Sequence, residues 1–245
     1  MTAITKDRSP LYVQLRELIR SQIESGQFPP GTSLPSENAL AQTYGLNRSA
    51  VHNALHALEY EGLLQSVQGK GSFVLGPKLM RDMETLGGFR QTMLDRDQSP
   101  STKVLHKTLR KAGPLYSRLL EISPDAPLWY VKRICYAESS PLALEEIFIP
   151  KDLLPDFNSA DIGLFSIMDI YHWNAIYPLL GQQTLSIAFL DPSQSKLIGL
   201  EGRQAVLEFS GIMRTKEGRI VEFSRSYTRQ DKAEFKVHYQ DQEEN

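Results

Sequence analysis

Apolar residues recur every four positions at Leu11, Leu15, Ile19 and Ile23, which predicts a helix from Pro10 to Gly26 with one buried face. Pro10 suits a first helical turn and Gly26 the position just past the last. Pro29-Pro30-Gly31 reads as a turn. Ser36 is a good cap for a second helix through Ala39, Leu40 and Tyr44, with Glu37 complementing its N-terminal dipole and Gly45 stopping it. Asn47 caps a third helix whose inward positions are Val51, Ala54, Leu55 and Leu58, ending at Gly62. Two helices joined by a short Gly-containing turn, the second amphipathic, form a helix-turn-helix pattern. Two short strand-like runs, 64–68 and 72–75, flank Gly69-Lys70-Gly71 and read as a hairpin wing.

After residue 76 the pattern changes. Gly76-Pro77, Gly87-Gly88 and Ser99-Pro100 punctuate a linker and lead-in segment over 77–100. Beyond it, strands are expected at 102–109, 128–137, 142–150, 183–190, 205–215 and 219–229, with short helices at 114–120, 164–172 and 193–200. Consecutive strands with few helices predict an α+β domain with an antiparallel sheet over 101–245, following a winged helix-turn-helix over 1–76. Asp241 to Asn245 read as a frayed acidic tail.

Composition narrows the class. With 245 residues, 41% hydrophobic and 23% charged, the chain has the make-up of a globular protein. A single cysteine, Cys135, excludes an internal disulfide and a multi-thiolate metal site. The polar N-terminus lacks a signal-peptide core, and no apolar run reaches the ~18 residues of a membrane span. The expected compartment is therefore the cytoplasm. Net charge is −2, and the first 75 residues carry six basic and six acidic groups. A DNA reader ordinarily shows a basic footprint. Here the expectation of DNA binding rests on geometry instead.

That geometry is specific. A recognition helix enters the major groove by its N-terminal end, where the third helix carries Arg48, Ser49, His52 and Asn53 on its outer side. Arg48 suits guanine O6 and N7, and Asn53 suits adenine. The helix starts at Ser36 and Asn47 offer backbone N–H groups to phosphates. Gly69 allows close approach of the wing to a minor groove, and Lys70 supplies charge there. His52 and His56 have an i, i+4 spacing that can bind zinc, but no further ligand stands near them except Glu59, so no metal or cofactor is expected. His106, His172 and His238 are read as surface or packing residues.

Pro10-Leu11-Tyr12, Ser25-Gly26, Pro30-Gly31, Leu34-Pro35-Ser36-Glu37, Leu40-Ala41 and Gly69-Lys70-Gly71-Ser72-Phe73-Val74 together resemble the DNA-binding domain of the GntR family. Val131-Lys132-Arg133, Pro141 through Glu146, Ile149-Pro150 and Val221-Glu222-Phe223-Ser224 resemble the UTRA ligand-binding domain of its HutC subfamily, whose sheet is like that of chorismate lyase. The resemblance implies an effector-controlled repressor of a catabolic or transport operon that binds an inverted-repeat operator as a homodimer. Three positions that commonly carry arginine in the family fall on Asn38, Arg48 and His52, and the usual serine before the middle one is Asn47. The effector implied is a small polar metabolite, a sugar or sugar derivative. Arg133, Glu145 and Glu222 match the family's pocket positions, and Tyr227 and Arg229 lie in the same late strand as Glu222.

Departures bear on the effector. A second arginine used for phosphate is Cys135 here, a Ser-Leu-Tyr run is Gly163-Leu164-Phe165, and a hydroxyl residue near the lead-in is Gly88. Each removes a donor suited to phosphate, so an effector without a terminal phosphate, or one gripped differently, is expected. Two alternatives stand beside this reading. The second domain could serve only to dimerise, or it could be a chorismate-lyase-like enzyme using Glu145, Glu222 and Arg133.

Overall fold

A computed structural model describes residues 10–76 and 100–232. They form two compact units, 10–76 with Leu154–Tyr177, and 100–153 with 178–232. Gly88, His238 and the acidic tail lie outside the described residues.

The first unit begins with α1 (Leu11–Glu24), α2 (Glu37–Tyr44) and α3 (Arg48–Tyr60). Both expected caps form: Ser36 Oγ accepts from the Ala39 amide at 3.2 Å, and Asn47 Oδ1 from the Ala50 amide at 2.8 Å. Gly45 ends α2 at φ 65, a left-handed conformation that favours glycine. Leu15, Ile19, Leu40, Val51, Ala54, Leu55 and Leu58 close the helical core together with Leu34, Leu64 and Val74. Leu11 departs from its predicted role: it stays 49% exposed, at the first turn of α1. The wing is β1 (Leu64–Val67) paired antiparallel with β2 (Gly71–Val74). The segment before α2 adds to β2, with the Gly31 amide donating to Val74 O and the Leu34 amide to Ser72 O, both at 2.8 Å.

A segment from much later in the chain completes this unit. A 3-10 turn (Phe157–Ser159) leads to α5 (Ile167–Trp173), which starts on a capping box between Ser166 and Asp169. The Asp161 amide donates to Gly31 O at 3.0 Å. Phe165 packs edge-on against Phe73 of the wing and against Trp173. Gly76 is necessary at its position, since a Cβ there would stand 1.8 Å from the Trp173 ring.

The second unit is a six-stranded antiparallel sheet. Its strands are β3 (Pro100–Lys111), β4 (Pro127–Ala137), β5 (Ser140–Pro150), β6 (Pro178–Phe189), β7 (Ala205–Thr215) and β8 (Ile220–Arg229), in the order β3-β4-β5-β8-β7-β6. Two helices, α4 (Gly113–Leu120) and α6 (Pro192–Leu197), contribute to two cores. One gathers Leu120, Leu128, Phe148, Ile220 and Phe223, and the other Ile134, Leu144, Leu190, Ile198 and Val206. The fold is α+β, as the strand and helix pattern predicts. β6 starts at Pro178, five residues ahead of its expected start.

Candidate nucleic-acid interface and effector site

The start of α2, the outer face of α3 and the wing enclose a concavity of about 570 Å³ lined by Ser36, Glu37, Asn38, Arg48, His52, His56, Gln68 and Gly69 among others. It therefore brings together five of the sequence-predicted DNA residues: Ser36, Asn38, Arg48, His52 and Gly69. Asn47, Ser49 and Lys70 are exposed nearby on the same elements. The Asn47 side chain is committed to its cap, and Lys70 Nζ stands 3.8 Å from the Asp161 carboxylate. Asn53 lies elsewhere, in a shallow recess with Tyr12, Arg16 and Tyr60.

The electrostatic centre of the concavity is Glu37, which the sequence reading treated only as a dipole partner. Arg48 Nε donates to Glu37 Oε2 at 2.8 Å, and His52 Nδ1 lies 2.9 Å from Oε1. The hydrogen bond with His52, then that with Arg48, holds the Glu37 carboxyl below its ordinary value against a smaller opposing effect of burial. Further along α3, Glu59 accepts from both the amide and the hydroxyl of Ser66 and so ties the wing to the helix. His56 and His52 have ring centroids 6.3 Å apart. Among the described residues, no group of three or more His, Cys, Asp or Glu is placed to hold a metal ion.

In the second unit, Arg133 on β4 sits opposite Glu145 on β5, which sits opposite Ser226 on β8. Paired residues share a sheet face, and alternation along β8 places Glu222 on that same face. Arg133 Nε donates to Glu145 Oε2 at 2.7 Å, with the side chains only 12% and 13% exposed. Burial works to lower the Arg133 value, and the Glu145 charge, with smaller help from Cys135 and Glu222, outweighs it and raises it. Burial pushes the Cys135 thiol up, and the neighbouring Glu145 charge adds to this. Glu222 is 4% exposed. Arg133 and Glu145 thus form a buried ion pair, and the buried Glu222 on the same face acts on it only weakly.

Tyr227 and Arg229 stand apart from it. They lie an odd number of residues from Glu222 and face the other side of the sheet. There Arg225 Nη1 donates to the Tyr227 hydroxyl at 3.4 Å. Arg229 holds Asp231 through two nitrogens and donates to the carbonyls of Ile198 and Gly199 beyond α6. That face also carries a polar network the sequence reading did not identify: Tyr130 donates to Glu146 at 2.7 Å, Lys132 lies 3.5 Å from Glu146, and Arg225 lies 3.1 Å from Glu208. Burial, then the bond to Glu146, raises the Tyr130 phenol well above its ordinary value. Strand alternation around Lys132-Arg133 and Glu145-Glu146 is the signal that places these charges on two opposite faces. Of the remaining predicted effector residues, Gly163 donates its amide to Asp161 Oδ1 at 2.9 Å and Phe165 is buried, both within the first unit.

Comparison with known proteins matches two segments of the chain, the second of which includes the 154–177 segment that packs in the first unit. Residues 11–74 match the profile described as bacterial regulatory proteins, gntR family, and residues 95–234 match the UTRA domain. The chain is 31% identical over 201 residues to the uncharacterized HTH-type transcriptional regulator YurK of Bacillus subtilis, covering 82% of this chain and 83% of that protein. It is 29% identical to the mannosyl-D-glycerate transport/metabolism system repressor MngR of Escherichia coli, covering 92% and 94%. It is 27% identical to the HTH-type transcriptional repressor NagR of Bacillus subtilis, covering 95% of each. Among solved structures, PhnF from Mycobacterium smegmatis superposes with a TM-score of 0.60 at 18% identity, covering 94% of this chain and 99% of PhnF. No described helix is long and apolar enough to cross a membrane.

Proposed function

The chain belongs to the gntR family of bacterial regulatory proteins and carries a UTRA domain, and we propose that it is a cytoplasmic repressor of a catabolic or transport operon. It is a transcription regulator, not an enzyme. In this reading 1–76 is the DNA reader, 77–100 the linker and 101–245 the effector domain. The reader binds an inverted repeat as a homodimer, because a palindrome requires two readers related by a twofold axis. The observation that carries the reading is the concavity between α3 and the wing, with Arg48 anchored at its mouth yet 72% exposed. Asn38, Ser49, His52 and Lys70 supply further base or phosphate contacts, Asn53 standing outside this concavity, and the α2 and α3 starts at Ser36 and Asn47 offer backbone donors.

Dimerisation is assigned to the second unit. β6 is an edge strand, and Leu185, Ile187 and Phe189 alternate along it on one face, each more than half exposed. An apolar stripe of this kind is covered in a stable protein, here by a second copy of the chain.

The effector is a small polar metabolite, and its carboxylate or hydroxyls engage Arg133, Glu145 and Glu222. A single guanidinium with two carboxylates suits a neutral or carboxylated sugar derivative better than a sugar phosphate. MngR, named for a mannosyl-D-glycerate system, supports that class. Two measurements test the function. Arg48→Ala weakens binding to a selected operator by about 1–3 kcal/mol, and unchanged affinity overturns the DNA assignment. Calorimetry with a carboxylated glycoside, a phosphorylated sugar and its unphosphorylated parent tests the effector. Tight binding of the phosphorylated sugar alone refutes the proposed class, and binding of none of them supports a domain that only dimerises.

A further inference from the structure

One carboxylate at the mouth of the concavity holds two of its outward-facing side chains. Glu37 opens α2, while Arg48 opens α3 and His52 follows one turn later on the same face. Glu37 gives one oxygen to each: Oε2 to Arg48 Nε and Oε1 to His52 Nδ1. With its value lowered by those partners, the carboxyl is ionised and can only accept. Nδ1 of His52 must therefore carry the proton. In the neutral ring this leaves a single lone pair at Nε2, on the far side of the imidazole from Glu37. Among the described residues no hydrogen bond occupies it. Arg48 spends Nε on Glu37, which keeps both terminal nitrogens of a planar group in a fixed orientation. The other titratable or charged groups lining the concavity are His56 and Glu59.

Resting on the reading of this face as the DNA interface, we propose that Glu37 is a positioning residue for base readout and that it sets Arg48 and His52 to opposite polarity. Arg48 donates to guanine O6 and N7. His52 Nε2 accepts from an exocyclic amine in the major groove, adenine N6 or cytosine N4. An arginine at position 52 would demand an acceptor edge there. The Glu37 and His52 pair instead demands a donor edge, so the operator differs in base identity at that position and not only in affinity.

The test is selection by the full-length chain from a pool of random-sequence duplexes at pH 8.5, above the ordinary titration range of an imidazole, followed by sequencing of the bound fraction. Wild type, His52→Ala, His52→Arg, Arg48→Ala and Glu37→Gln are compared. Thermal melting confirms that each variant folds, which the exposure of 63% at His52 and 72% at Arg48 favours. Wild type is expected to enrich adenine or cytosine about tenfold at one position of each half-site. His52→Ala loses that preference alone, and His52→Arg replaces it with guanine. Glu37→Gln weakens the preferences assigned to Arg48 and to His52 together while the melting temperature stays near wild type, a readout that a purely structural role would not move. Full retention of binding when the exocyclic amine of the base pair that loses its preference in His52→Ala is removed (purine in place of adenine, 2-pyrimidinone in place of cytosine) overturns the proposal. So does a His52→Ala profile identical to wild type, or full retention of both preferences in Glu37→Gln. If neither Arg48→Ala nor His52→Ala alters any position, the face itself is not the DNA interface, a separate and distinguishable failure.

Discussion

Replacing Glu145 by glutamine removes a charge from the most enclosed ion pair of the second unit while keeping its shape. Arg133 Nε and Glu145 Oε2 are 2.7 Å apart, and both side chains are nearly withdrawn from solvent. With charge centres about 4 Å apart and an effective dielectric of about 20, their attraction is about 4 kcal/mol. Glutamine retains an oxygen that accepts from Arg133, recovering about 1 kcal/mol. The expected net loss is then about 3 kcal/mol, in the range found when one partner of a buried pair is removed. For a unit of this size that lowers the melting temperature by about 10 °C. Urea denaturation and scanning calorimetry measure both quantities. Adding Arg133→Met to Glu145→Gln should restore most of the loss, since no uncompensated charge then remains. A loss below about 1 kcal/mol in the single variant, with an unchanged denaturant slope, would refute the view that Glu145 is the main partner of Arg133 and would transfer that role to Glu222.

Gly76→Ala should destabilise the first unit by about 1–3 kcal/mol, because the new methyl overlaps the Trp173 ring. Trp173→Ala in the same chain should remove that added cost, and strictly additive losses on denaturation would contradict the contact. The lowered Glu37 value has a pH consequence. A depressed carboxyl contributes stability that is fully present above its ordinary value of 4.5 and is lost as pH falls through its folded value. Acid melting curves of Glu37→Gln should accordingly fall less steeply than wild type below that pH, and parallel curves would count against the pair. Salt dependence of operator binding should be shallow. Even if all six basic groups of the first 75 residues met phosphates except the paired Arg16 and Arg20, a dimer would show a log–log slope no steeper than about −7. A measured slope near −10 would mean that phosphate contacts come from elsewhere in the chain.

The reader was legible because its signals are local. Ser36 and Asn47 are caps whose bonds close within three residues, and the buried positions of α3 repeat at helical spacing. The sheet was legible as a set of strands for the same reason. What sequence could not supply was contact between distant segments. Nothing near Phe165 or Trp173 announces a wing phenylalanine or a glycine slot as partner, since those contacts span about a hundred residues and follow no period. Tyr227 illustrates a signal present but unused: it stands five residues from Glu222, and strand alternation puts such residues on opposite faces. The grouping of Arg133 with Glu145 came from the family pattern, and the register then placed them directly opposite each other.

The charge neutrality of the reader acquires a physical meaning once its ion pairs are known. Arg16 and Arg20 are held by Glu17 and Glu61 and neither lines the wing concavity, so their paired charges add little positive field to the proposed DNA face. On that proposed face a carboxylate, Glu37, lines the concavity. An uncompensated negative charge there would repel DNA; Arg48 neutralises it, and both Arg48 and His52 use it as a hydrogen-bonding anchor. The sequence-independent part of binding is thereby reduced, because it grows with the number of phosphates neutralised. The base-edge contacts proposed for Arg48 and His52 are not reduced by the same pairing, since Glu37 occupies only Arg48 Nε and His52 Nδ1. A reader built this way is expected to be weak on random DNA and to derive a large share of its operator affinity from base identity, which makes the ratio of specific to non-specific binding the quantity on which its design depends.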